Sequence, residues 1–130
     1  MLILPAIGLS RIAATDKRKT VATSKDLRRI ALALEGTTEA PHFDRAAFKV
    51  KRIYATLAAD GKTANLKLTV DEQELKCTVA ADAFAQIPNA WGQQGWTTVT
   101  LASLSAAELK VALEMAWRHA TPKQPARRSR

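Results

Sequence analysis

An α+β sandwich, with helices on one face of an antiparallel sheet, is the fold this chain predicts. Three observations carry it. Apolar residues recur at helical spacing at both ends of the central region. They alternate at period two in the stretches between, and glycine and aspartate turn signals separate the two patterns. At 130 residues the chain has the length of one domain with an ordinary core.

Ser24 is the expected N-cap of the first helix, whose apolar face is Leu27, Ile30, Ala31 and Leu34, with Gly36 closing it as a C′ residue. Strands are expected over 46–50 and 53–59, where Phe48 and Val50 alternate with Lys49 and Lys51, and a tight Lys51-Arg52 link joins them. After the Asp60-Gly61-Lys62 turn, Leu66, Leu68 and Val70 alternate with polar residues as a third strand. Residues 71–83 fit two patterns. Leu75, Cys77 and Val79 alternate as in a strand, while Leu75, Val79 and Ala83 share a helix face. The acidic start Asp71-Glu72-Gln73-Glu74 favours the helix. A last strand is expected over 96–101. The capping box Ser105-Ala106-Ala107-Glu108 then opens a helix with the stripe Leu109, Ala112, Leu113, Ala116, Trp117 and Ala120, ended by Thr121-Pro122. The order is helix, three-stranded meander, short helix, strand, helix.

The net charge of +8 is concentrated at the ends of the chain. Residues 1–23 carry Arg11, Lys17, Arg18 and Lys19 against Asp16, and residues 122–130 carry Lys123, Arg127, Arg128 and Arg130 unopposed. The middle holds 12 basic and 11 acidic side chains, a net of only +1. The organisation expected is a flexible basic extension (1–23), one α+β domain (24–121) and a basic tail (122–130). Such ends attract any polyanion by counterion release. The single cysteine, Cys77, excludes an intramolecular disulfide and favours a reducing compartment. The apolar run at residues 1–9 lacks a basic start and is too short to span a bilayer, so a cytoplasmic protein with no membrane partner is expected.

Catalytic patterns are absent from the sequence. There is no HExxH, no GxSxG, no Gly-rich phosphate loop and no paired-cysteine site, so neither an enzyme nor a metal or cofactor is expected. His42, beside Phe43-Asp44 in a loop, could form an acid/base pair, but a lone loop histidine more often caps backbone or is solvated. Cys77 reads as a half-buried filler. Two other features point to binding. Lys49, Lys51 and Arg52 cluster at a hairpin, Lys67 extends the same polar face, and Arg28 and Arg29 add charge on the first helix. Alternating lysines are also what the wet face of any half-exposed sheet shows. The segment Trp91-Gly92-Gln93-Gln94-Gly95-Trp96 is the second feature. An exposed Trp91 or Trp96 offers a stacking surface for an unpaired base. Alternatively, with His42 and Phe43, the loop and its amides Gln93 and Gln94 would wall a pocket for a small molecule or a protein.

Four segments in this order, Leu27–Leu34, Phe48–Leu57, Trp91–Thr97 and Ala116-Trp117-Arg118, resemble the MmcQ/YjbR-like proteins over about residues 24–122. The resemblance implies the small α+β sandwich of frataxin-type proteins and a DNA-binding function assigned to a double-wing arrangement of the sheet. Residues 1–23 fall outside the pattern, as a start codon placed upstream would leave them. The resemblance to frataxin raises iron, which an acidic ridge on the first helix would gather. Here that helix shows Lys25, Arg28 and Arg29 against Asp26 and Glu35, a surface that repels cations. DNA is therefore the expected partner.

Overall fold

The computed structural model describes residues 21–121. The basic clusters at residues 11–19 and 123–130, and the flexibility expected of the extension, lie outside the described residues. The domain begins earlier than its first helix. Ala22 is buried and donates its N–H to Leu104 O at 2.8 Å, and Val21 forms an isolated bridge with Ser105. Residues 21–23 thus pack with the domain, although the sequence assigns them to the extension.

Helix α1 (Ser24–Ala33) is capped by Thr23, one residue before the expected Ser24, because the Thr23–Asp26 pair forms a reciprocal capping box. Its C-cap Leu34 leaves in an extended conformation. Gly36, at φ +81, serves the Leu34–Thr37 turn beyond the cap, closed by Thr37 N–H on Leu34 O.

Six strands follow: β1 (Thr38–His42), β2 (Arg45–Lys49), β3 (Ile53–Leu57), β4 (Thr63–Lys67), β5 (Phe84–Gln86) and β6 (Trp96–Thr100). They form one antiparallel sheet in the order β1-β2-β3-β4-β6-β5. The sequence reading lacked β1 and β5. Both are edge strands, where Pro41 is tolerated and three residues suffice, and neither is rich in β-branched side chains. Between β4 and β6 run α2 (Val70–Val79) and the short α3 (Ala90–Gln93), and α4 (Ala106–Ala120) ends the domain behind its predicted Ser105 capping box.

Helices α1 and α4 pack on one face of the sheet. Leu27, Ile30 and Ala31 of α1 and Leu109, Leu113 and Ala116 of α4 join Phe48, Leu57, Leu66 and Val99 in the core. Helix α2 is the element its acidic start favours, with a different inward face. It buries Gln73 and tucks in Cys77, leaving Leu75 and Val79 exposed, and it begins at Val70, expected to end the third strand. The expected apolar face fails because the groove beneath α2 is lined by polar backbone. Gln73 reaches those groups and leucine does not.

A β-bulge sorts β3 between the two faces. Phe48 opposes Ala55 and Lys49 opposes Ile53, so Tyr54 is the extra residue. Tyr54, Ala55 and Leu57 enter the core, while Ile53 and Thr56 line the open face. The Lys51-Arg52 link is accordingly a wider loop, Val50–Arg52, closed by Val50 N–H on Arg52 O.

Tyr54 is fully buried, its hydroxyl 2.8 Å from Thr37 Oγ1 and donating at 3.4 Å to Ala31 O. Burial raises its ionisation above the ordinary phenol range, against a smaller lowering by Thr37. The unfolded chain therefore loses this proton first, and the contribution of Tyr54 to stability, complete below about pH 10, declines as pH rises further. Replacing Tyr54 by Phe should cost about 1 kcal/mol at neutral pH and flatten the alkaline end of the stability curve, measured by urea unfolding between neutral and alkaline pH.

Candidate functional site

Among the described residues, the face of the sheet opposite α1 and α4 carries no helix layer. It is not flat, because its strands are flanked by two raised segments. On one side the β1–β2 turn, Phe43-Asp44, stands up between the paired His42 and Arg45. Phe43 has φ +60 and is the only described residue other than glycine with positive φ, the pattern of a type II′ turn. A side chain there costs on the order of 1 kcal/mol. Phe43 is nonetheless 93% exposed, and its ring meets His42 edge-on at 4.8 Å.

On the other side stands the segment from Ile87 to Trp96. Asn89 caps α3 by accepting from Trp91 and Gly92 N–H at 2.8 and 3.3 Å, which leaves Trp91 58% exposed. Gly92 lies so close under Ile87 that a Cβ would come within 1.7 Å of the Ile87 carbonyl oxygen. Gly95, at φ +110, would set a Cβ 1.9 Å from Leu68 O. Gln73, from α2, holds the segment from below. Its buried amide nitrogen donates to Gly92 O, Trp96 O and Thr97 Oγ1 at 3.0, 3.0 and 3.1 Å.

Between these walls lies an open cleft of about 600 Å³, within the ordinary range of ligand sites. Phe43, Trp91 and Trp96 supply its aromatic surface, Ile53 and Ile87 add aliphatic contact, and Thr56, Asn65 and Arg45 lie between the walls. Arg45 Nε donates to Thr56 Oγ1 at 2.9 Å, while Nη2 is buried without a hydrogen-bond partner among the described residues. Arg52, Ile53 and Trp96 also border an adjoining cavity of about 290 Å³ that includes Lys67 and Gln94.

The cleft gathers most of the residues expected to form a pocket. His42, Phe43, Trp91 and Trp96 line it, whereas Gln94 lines only the neighbouring cavity and the exposed Gln93 lines neither. Trp96 is half-buried on the open face and outside the core cluster, because β6 turns Thr97 and Val99 inward instead. Trp117 packs against the core as expected and donates its indole N–H to Glu35 O. Of the expected cations, Arg52 borders the cleft, Lys67 lies opposite Trp96, and Lys49 and Lys51 are exposed at the β2–β3 end. Arg28 and Arg29 are apart from them on the helical side, bound by Glu39 and Asp26 at 3.0 and 2.9 Å. The sequence reading omitted Arg45, Thr56, Asn65 and Asn89. Arg45 alternates with Ala47 and Lys49, a signal that starting the strand at residue 46 concealed.

His42 makes no hydrogen bond to Asp44 among the described residues, and no cluster of three or more His, Cys, Asp or Glu there could hold a metal ion. Burial pushes the Cys77 thiol up, against a smaller lowering by the Gln86 backbone, away from reactive thiolate. No described helix is long and apolar enough to cross a membrane.

Replacing Gln73 by Leu should cost about 1–3 kcal/mol, since Gly92 O and Trp96 O keep only backbone donors and Thr97 Oγ1 loses its own, and should speed hydrogen exchange at residues 92–97. Gly92→Ala should be more damaging still. Unchanged exchange in Gln73→Leu would show that the segment is held by other contacts.

The same fold occurs in solved proteins. The crystal structure of Deinococcus radiodurans protein DR2400, which carries a DUF419 domain, superposes with a TM-score of 0.63 at 24% identity, over 74% of this chain and 76% of that one. A Pseudomonas syringae protein superposes with a TM-score of 0.54 at 17% identity, over 72% of this chain and 94% of that one. No curated protein matches the chain. The YjbR family model matches residues 32–119, from the end of α1 through β1 and the cleft to the last turn of α4, and the chain belongs to the YjbR family.

Proposed function

We propose that this protein binds DNA without catalysing a reaction, through the open face of its sheet. Lys49, Lys51, Arg52 and Lys67 hold phosphates, and the aromatic cleft receives bases. The observation that carries this reading is that cations without a carboxylate partner among the described residues lie beside aromatic rings on the open face. On the helical side Arg28, Arg29 and Lys110 are each matched by a carboxylate, while, among the described residues, Lys25 and Arg118 are not. Lys49, Lys51, Arg52 and Lys67 have no such partner among the described residues. Unpaired cations beside exposed aromatic rings suit a single strand better than a duplex, since every unpaired base offers a π-face. The basic ends of the chain add sequence-independent attraction. The proposal sets the protein in the cytoplasm, where the lone thiol stays reduced. It keeps the frataxin-type comparison for architecture alone and leaves iron out, since α1 exposes Lys25, Arg28 and Arg29.

A small-molecule or protein-interaction role is the second reading, favoured by the volume and aromatic walls of the cleft. Fluorescence anisotropy of labelled single-stranded DNA across a salt series separates the two. Lys51→Glu with Arg52→Glu in the full chain should lower the salt slope by about 1.4, at roughly 0.7 per phosphate lost. Arg28→Ala with Arg29→Ala should leave it unchanged. An unchanged affinity and slope in the Lys51→Glu, Arg52→Glu variant would move the contact to the basic ends.

A further inference from the structure

We infer that the cleft between the Phe43 turn and α3 takes one unpaired nucleobase that carries carbonyl oxygens, a keto base. The ring would lie against the aromatic walls and the oxygens would meet Arg45. This rests on the DNA-binding reading above and adds to it what the cleft selects.

Phe43 and Trp91 rise from opposite sides of the cleft, both largely exposed, with Trp96 half-buried between the strands. The same faces of a base are hidden by stacking in a duplex, so the site fits a base that has left the stack.

The polar lining of the cleft consists mainly of donors. Arg45 has donors only, and its fork is oriented by the bond from Nε to Thr56 Oγ1. Its buried Nη2 meets no acceptor among the described residues. Nη2 is closed to solvent, so an entering carbonyl oxygen meets the guanidinium at the edge that lines the cleft, where Arg45 has donors to offer and no acceptor. The amides have the same bias. Asn89 Oδ1 is taken by the Trp91 and Gly92 N–H groups, and Asn65 Oδ1 by the Thr98 hydroxyl at 3.0 Å, which leaves each amide nitrogen to donate. Asp44 is the one carboxylate at the cleft, exposed in the turn. A donor-rich site complements thymine and uracil, which present two carbonyl oxygens, better than guanine or cytosine, which present one beside an amino group. Adenine presents none.

The same chemistry could arrive in a strand or as a free nucleotide. The test titrates the full chain, by tryptophan fluorescence and anisotropy, with oligothymidylate, oligodeoxyadenylate, an abasic strand of equal length and charge, and thymidine monophosphate. Oligothymidylate should bind about ten-fold more tightly than the abasic strand. Trp91→Ala, at an exposed position, should abolish that difference. Arg45→Lys keeps the charge, loses the planar fork, and should remove the preference for thymine over adenine. An abasic strand that binds as tightly as oligothymidylate overturns the base site and leaves DNA binding intact. Binding by neither strand overturns both. Monophosphate binding as tight as the strand keeps the keto-base cleft and overturns the DNA-binding reading.

Discussion

The amide of Gln73 is the interaction on which the cleft depends. A glutamine side chain with one nitrogen shared among Gly92 O, Trp96 O and Thr97 Oγ1 ties α2, α3 and β6 together at a single buried point. Buried polar groups are tolerated only when satisfied, and a satisfied one specifies geometry more sharply than an apolar contact of equal size. Both glycines of the segment serve the same point. Gly92 allows the backbone to pass under Ile87, and Gly95 allows the chain to turn against Leu68. Trp91 can therefore stand out in solvent without being loose, because what fixes it lies beneath its backbone rather than around its ring.

The two faces of the sheet have divided the work. The helical face takes the core and most of the paired charges, including the contact of His119 with Glu72 at 2.8 Å that joins α4 to α2. Burial there acts to raise the Glu72 carboxyl, but bonds from Thr69 and His119 outweigh it, so Glu72 stays charged below its ordinary range. The open face keeps cations without carboxylates and aromatic rings without cover. Surface ion pairs contribute little to stability, so the pairing pattern is better read as a statement about surface potential than about folding.

Much of this was legible in the sequence. Period and caps located α1, α4 and strands β2, β3, β4 and β6, since Leu27, Ile30 and Ala31, or Leu109, Ala112 and Leu113, carry a strong repeat. The cleft's two walls were also visible, as the His42-Phe43 loop and the Trp91 segment. Their meeting was not, because it depends on sheet order: β1 and β5 carry weak local signals and are placed by their neighbours. Helix α2 shows the other limit. Leu75 and Val79 suggested an inward face, but a three-acceptor pocket for an amide is a tertiary fact with no periodic signature. Arg45 was invisible for a related reason, since its significance lies in the absence of a partner.

Sheet order also has a consequence for how the chain is made. Strand β6 is inserted between β4 and β5, so the outer edge of β4 has no partner until residues 96–100 have emerged. The three acceptors of Gln73 lie 19 to 24 residues downstream of it. During synthesis the meander from β1 to β4 can pair as it appears, while the Trp91 wall waits for β6. An unpaired central edge is the form in which β-rich chains find the wrong partner. The cleft is thus completed only after the meander, and a chain cut short before β6 would expose an open edge where the finished protein has a cleft.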